Sequence, residues 1–138
     1  MSEYLSTTII GQAAEAVIRM MNTLGLFATV TRGALPAGAG ITCEVGPSVP
    51  SEVYLDKNKY IPLDLTINGK NKNLQTLTDA MDKIHEELTF ARSYPSGDDW
   101  QIVDITTATE PQRIGREENN DWLMASSLTV KIETKRSE

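Results

Sequence analysis

The last third of the chain has the clearest pattern of hydrophobic and polar positions. From Trp122 onward, apolar side chains recur at every second position as far as Ile132, with Ser126 as the polar interruption. A period of two is typical of a β-strand with one buried face. Another strand-like run ends at Ile114-Gly115, and a polar stretch over residues 116–121 separates the two runs. The sequence therefore predicts a long hairpin within residues 106–132.

Two segments have helical spacing instead. Residues 7–23 carry an apolar stripe that follows candidate caps at Ser6, Thr7 or Thr8, and Gly25 is placed to stop this helix in a left-handed conformation. Residues 77–91 form the second amphipathic segment, with a candidate N-cap at Asn73 and a stop at residues 94–98.

Strand patterns fill the rest of the chain. They occur at residues 26–31, 41–45, 61–67, 100–107 and 122–134, with a glycine-rich loop at 33–40 that suggests a hairpin and a turn at Asn68-Gly69. Pro62 fits only near a strand start or at a sheet edge. The element order α-β-β-β-α-β-β predicts an α+β fold of two layers, in which a mainly antiparallel sheet of about five strands carries both helices on one face. The uncovered face would be semi-polar, with these side chains: Thr66, Thr106, Thr129 and Lys131.

Size and composition limit the functional classes. With 138 residues, the chain predicts a single domain over 1–138 with a frayed tail at 134–138. A net charge of -6 disfavours a surface that grips nucleic-acid phosphates. We expect neither a membrane span nor a secretory signal. Cys43 has no cysteine to pair with, and its place in an alternating run predicts a small buried hydrophobe.

The chemically suggestive residues each have an ordinary structural interpretation. His85 is the only histidine, and the run His85-Glu86-Glu87-Leu88-Thr89 lacks the second histidine of a zinc-binding helix, so we expect a solvated surface histidine. The glycines at 33, 38 and 40 lead into a strand without the lysine of a phosphate-binding loop. The carboxylates of residues 98–99 and 117–121, expected at one end of the sheet, fit solubility and turn formation. We therefore predict no catalytic, cofactor-binding or metal-binding residues, and no enzymatic activity.

Several segments together resemble a known family. They are the run from Tyr60 to Asn71, the helical positions Leu77, Met81 and Ile84, the sequence Thr109-Glu110-Pro111-Gln112-Arg113-Ile114-Gly115, and the hydroxyl-rich strand after Trp122. In element order over about residues 5–133, the chain resembles the minor capsid and tail-terminator proteins of long-tailed bacteriophages and prophages.

That resemblance implies a non-enzymatic virion assembly protein. Such a subunit forms a hexameric ring that caps the tail tube, stops tube polymerisation and joins the tail to the head. The implied partners are the tail tube protein and a head-completion protein, and DNA passes through the ring without specific binding. The implied location is the tail or neck of the virion, after assembly in the bacterial host cytoplasm.

Two alternatives remain open at this point. The chain can be another neck or tail-tube component, or a small ligand-binding or enzymatic α+β domain that uses the uncovered sheet face. For subunit contacts, the candidate residues are Tyr54 and Leu55 in the irregular stretch after residue 46, Arg113 beside the polar loop, and Trp122. Trp122 can alternatively form a cross-strand contact with Trp100 if the hairpin register allows it.

Overall fold

A computed structural model describes residues 2–46, 59–118 and 120–134, with side chains from residue 9 onward and without that of Lys59. Its elements in chain order are α1 (Ser2–Met21), β1 (Val30–Arg32), β2 (Gly40–Val45), β3 (Lys59–Asn71), α2 (Leu74–Thr89), β4 (Trp100–Arg116) and β5 (Trp122–Thr134). No helix within these described ranges is long and apolar enough to cross a membrane.

The strands form one sheet in the order β1-β2-β3-β5-β4. All neighbouring pairs are antiparallel except β1 and β2, which are parallel. Alternate residues of β3 are buried, among them Leu63, Leu65 and Ile67, whereas Pro62 and Asp64 between them are exposed. One face of the sheet therefore carries the helices, and the predicted α+β class and element order are confirmed.

The first helix and strand differ from the prediction. α1 begins at Ser2, so the candidate caps at residues 6–8 lie inside it, while Gly25 has the expected positive φ of 72°. β1 has only three residues, and the Asn22 side chain binds the first of them, with Nδ2 donating to the Val30 carbonyl and Oδ1 accepting from the Val30 amide. The loop after Arg32 carries the chain back along the length of β1, so that Ile41 pairs with Val30 and β2 runs parallel to β1. The predicted hairpin is therefore wrong.

β3 continues through the predicted turn at Asn68-Gly69. Both residues pair with β2 on one side and with β5 on the other. A Cβ on Gly69 would lie 2.7 Å from Leu77 Cδ1, so the missing side chain allows α2 to approach the strand. Pro62 lies near the start of β3, before the pairing with β2 begins at Leu65, as its missing amide hydrogen requires.

α2 begins as the sequence indicates. The Asn73 side chain accepts a hydrogen bond from the Thr76 amide at 3.0 Å, which satisfies one of the free amides of the first turn. Beyond the end of the helix, the Tyr94 hydroxyl donates to the Leu88 carbonyl at 2.9 Å. Burial raises the pKa of this phenol, chiefly through desolvation. The contact holds the chain as it turns towards β4.

The predicted long hairpin is present as β4 and β5. Trp100 pairs with Thr134 at one end of the hairpin, and Arg116 pairs with Trp122 at the other. The two tryptophans therefore lie at opposite ends and make no cross-strand contact. For the same reason, the carboxylates of residues 98–99 and 117–121 lie at opposite ends rather than together. β5 includes Thr134, which was predicted to fray, while residues 135–138 lie outside the described ranges.

Between the helices and the sheet lies one hydrophobic cluster to which every element contributes. Cys43 is completely buried in it, and desolvation by burial raises the pKa of its thiol to about 12. The prediction of a small buried hydrophobe at this position is confirmed. A thiol with so high a pKa is almost entirely protonated near neutral pH and is a poor nucleophile.

Candidate assembly surface

The outer strand β4 leaves part of the sheet edge open. Its first residues are covered, because Gly97 donates a backbone hydrogen bond to the Trp100 carbonyl and Ile102 donates to the Pro95 carbonyl. Beyond Ile102, β4 pairs only with β5 among the described residues. From residue 106 onward every described side chain of β4 is partly or fully exposed, and Ile114 has 63% of its surface accessible. A bare strand edge of this kind is a template for contact with another chain.

Features that blunt the edge limit how another strand can pair with it. The register shifts at four places along β4, and the strand contains Pro111 next to the charged residue Glu110. Bulges, prolines and charges on an outer strand oppose uncontrolled edge-to-edge pairing. Side chains at the far end of the hairpin are therefore better placed than the backbone to select a partner.

At that far end, two guanidinium groups stack on one indole. Arg116 lies 4.7 Å from the ring centroid of Trp122, and Arg113 lies 5.4 Å from it. The indole is half-buried against the core, whereas both arginines are exposed. Each cation–π contact at such a site stabilises by about 0.5–1 kcal/mol. We call Arg113, Trp122 and Arg116 the cation stack.

The cation stack joins two separately predicted candidates. Arg113 and Trp122 were both expected at a subunit contact, and the structure brings them together. Arg116 is the member that the sequence reasoning missed, although the signal was present. It directly precedes the polar turn and therefore pairs with Trp122, which directly follows it.

The turn between the strands is fixed by a buried cation. Lys70 has only 5% of its surface exposed, and its Nζ lies 3.2 Å from Oε1 of Glu117. The Glu117 amide donates to the Asp121 carbonyl at 2.8 Å, and Asn120 adopts a left-handed φ of 73°, which asparagine tolerates better than most residues. These contacts tie Glu117, Asn120 and Asp121 to one another and to β3, next to the cation stack.

The uncovered sheet face carries polar side chains, in agreement with the predicted semi-polar character. Thr129 donates to Asp64 at 3.2 Å, and Glu133 accepts from Tyr60 at 2.9 Å and from Gln101 at 2.5 Å. Lys131 lies 4.7 Å from the centre of the Tyr60 ring. All four residues expected on this face (Thr66, Thr106, Thr129 and Lys131) are partly or fully exposed. Such a face tolerates water and can also meet another protein.

His85 is not a solvated surface residue. It has only 7% of its surface exposed, because it shares the inward face of α2 with Met81, Ile84 and Leu88. Its Nδ1 lies 2.8 Å from the Thr107 hydroxyl, and its buried Nε2 has no hydrogen-bond partner in the described structure. Desolvation lowers the pKa of the imidazole, while Glu110 and Asp82 oppose that shift. The helical spacing from Met81 and Leu88 was the signal for its burial.

An open groove of about 530 Å³ lies between α1 and residues 95–97. Two pairs of its polar groups contact each other: Trp100 Nε1 donates to Gln12 at 2.8 Å, and Glu15 lies 3.5 Å from Arg32. Within the described residues, no group of three or more histidine, cysteine or acidic side chains is arranged to hold a metal ion. The remaining candidates, Tyr54 and Leu55, lie outside the described residues.

Comparison with known proteins identifies a related fold. No family model matches the sequence, and no curated protein has a significantly similar sequence. The fold is similar to that of a chain in the virion of a native gene transfer agent particle, with a TM-score of 0.54 and 14% sequence identity. The likeness covers 91% of this chain and 92% of that chain. At this identity it shows a shared fold over nearly the whole length of both chains.

Proposed function

We propose that this chain is a non-enzymatic structural subunit of a phage or prophage virion and acts as a tail terminator. In this role it forms a ring, of six subunits by the sequence resemblance, on the end of the tail tube. The ring stops tube polymerisation and provides the surface to which the head attaches. Its partners are the tail tube protein and a head-completion protein, and it assembles in the host cytoplasm.

The observation that carries this proposal is the full-length likeness in fold to a chain of a virion particle. The sequence resemblance to tail terminators points to the same class of protein independently. The open edge of β4 and the polar sheet face provide two distinct surfaces, as a ring with head-to-tail contacts requires. Arg113 and Trp122 at the hairpin end, with Tyr54 and Leu55, are the proposed contact residues.

Deletion of the gene tests the proposal directly. If the chain terminates tails, lysates of the deletion phage contain tubes longer than wild-type tails and heads without tails, as seen by electron microscopy. Expression of the intact chain from a plasmid restores the fixed tail length and serves as the control. Tails of normal length joined to heads would rule out the terminator role.

The same experiment separates the alternative position in the virion. A tube subunit is needed for polymerisation itself, so its deletion leaves no tubes instead of long ones. A head-completion subunit leaves tails of normal length beside heads that cannot hold them. Tube length alone distinguishes the three outcomes: overlong tubes, no tubes, or tails of normal length. It is therefore the quantity to measure.

The acidic character of the chain fits a ring through which DNA passes. With a net charge of -6, the average surface repels phosphates and does not retain them. At physiological salt, the addition of assembled rings should leave the fluorescence anisotropy of a labelled DNA duplex unchanged. Saturable binding under those conditions would contradict free passage.

A further inference from the structure

The cation stack is a concentrated positive site on an acidic protein. Arg113 and Arg116 lie on the same indole, and neither forms a salt bridge with any carboxylate in the described part of the chain. Among the acids of the turn, Glu117 pairs with Lys70 and Asp121 is only 3% exposed, whereas Glu118 is exposed and forms no described ion pair with either arginine. Two like charges held together repel each other, and an anionic partner removes that repulsion.

A matching negative surface exists on α2. Its solvent side carries four exposed carboxylates and a single ammonium group, Lys83. Asp79, Asp82 and Glu86 are spaced by three and four residues and therefore lie along one stripe of the helix. We call these three residues the acidic stripe. Only Asp79 has a described partner, the amide of Gln75 at 2.8 Å.

The two surfaces do not neutralise each other within one subunit. No described ion pair joins the cation stack to the acidic stripe of its own chain. One copy therefore presents positive and negative groups that form no described ion pair with each other, and a head-to-tail contact between identical subunits can pair them. Arginine suits such a contact because its planar group can bind a carboxylate through two parallel hydrogen bonds.

We propose that the cation stack of one copy binds the acidic stripe on α2 of a second copy. This contact rests on the proposed ring and specifies its chemistry: guanidinium groups from the hairpin end meet carboxylates from a helix. Trp122 holds both arginines in position before association, so little side-chain freedom is lost on binding.

Charge reversal of each side tests the contact. In sedimentation velocity of the whole chain over a concentration series, Arg113→Glu with Arg116→Glu should weaken self-association by about tenfold or more. Asp82→Lys with Glu86→Lys should weaken it similarly. A chain that carries all four changes restores the complementarity and should recover association to within about threefold of wild type. High salt should weaken the association of the unmodified chain.

Matched controls separate this contact from a general charge effect. Arg92→Glu with Arg19→Glu makes the same change in net charge at two exposed positions outside both surfaces and should leave association unchanged. Arg113→Gln with Arg116→Gln removes the positive charges without adding negative ones. Far-ultraviolet circular dichroism checks that each variant remains folded.

Three results would overturn the proposal. The unmodified chain could stay monomeric at every concentration, the arginine variants could associate as well as the unmodified chain, or the variant with all four changes could fail to recover its association. A DNA duplex bound at low salt through Arg113 and Arg116, with self-association unaffected, would assign the site to phosphates instead. Tail length in the deletion phage is measured independently. If Arg113→Glu with Arg116→Glu still forms normal rings, the proposed contact is wrong, and the tail-terminator proposal is unaffected.

Discussion

Gly69 and His85 show how single residues acquire their roles from what packs against them. In the sequence, Asn68-Gly69 has the composition of a turn, yet α2 lies so close to Gly69 that an added Cβ would force the Leu77 side chain to shift. His85 sits among charged residues, but its position on the inward face of α2 buries it. In both cases the helix that covers the sheet determines the role of the residue.

Gly69→Ala should lower the free energy of unfolding by about 1–3 kcal/mol, because the added methyl group overpacks Leu77 and Met81. Chemical denaturation measures the loss. Gly115→Ala is the matched control, since a Cβ there has no atom within 4 Å. Equal stability of the two variants would show that α2 does not press on Gly69.

His85 should make the protein less stable in acid. Burial holds its pKa below the ordinary value of 6.5, so the unfolded chain takes up the proton more readily than the folded one. The contribution of neutral His85 to the free energy of unfolding is therefore complete above pH 6.5. It is lost as the pH falls below that value, because the unfolded chain then takes up the proton. Asp82 on α2 and Glu110 on β4 reduce the effect without reversing it.

Denaturant unfolding at about pH 7.5 and about pH 5.5 checks this expectation. The His85→Gln variant has no titrating ring at that position, so it should lose less stability than the unmodified chain between the two conditions. An equal loss in both proteins would assign the acid sensitivity to other groups.

At the scale of elements, the β4–β5 hairpin combines a covered beginning with an exposed end. Residues 95–97 cover the start of β4, the core buries its first apolar positions, and the remainder forms the open sheet edge. The turn is nevertheless anchored, because the buried ammonium of Lys70 reaches Glu117. This anchor allows an exposed hairpin end to present a defined cation stack.

Removal of one partner of the anchor should cost more than removal of both. Glu117→Gln leaves the buried charge of Lys70 without its counter-ion and should destabilise by about 1–3 kcal/mol. Lys70→Met combined with Glu117→Gln replaces the pair by an apolar chain and an amide, and should recover most of that loss. Glu118→Gln, at the next and exposed position, is the control and should change stability by less than about 0.5 kcal/mol.

At the scale of the whole molecule, every helix and strand contributes to one hydrophobic cluster. We infer that the chain is a single cooperative domain. Trp100 and Trp122 mark opposite ends of the long hairpin and can report on this, because Trp100 contacts α1 through Gln12 whereas Trp122 packs near the turn.

Two single-tryptophan variants, Trp100→Phe and Trp122→Phe, should each unfold in one transition. Within each variant, fluorescence of the remaining tryptophan and far-ultraviolet circular dichroism should give coincident curves, because one core cannot lose half of its contacts independently. A separate early transition seen by Trp122 fluorescence alone would show that the hairpin end unfolds by itself.

The sequence by itself determined the number, order and type of the elements, together with the hairpin and the burial of Cys43. These follow from local periodicity, and for α2 also from its cap at Asn73, which each segment carries in its own residues. It also suggested Arg113 and Trp122 as candidates for a subunit contact, without relating one to the other.

Only the tertiary structure decided the parallel pairing of β1 with β2, the course of β3 through Gly69, the burial of His85 and the junction of Arg113, Arg116 and Trp122. Each depends on contacts between residues far apart in the chain or on a strand register that four shifts alter. The physical reason is that local sequence sets which face of an element is apolar, whereas packing between elements sets what that face meets.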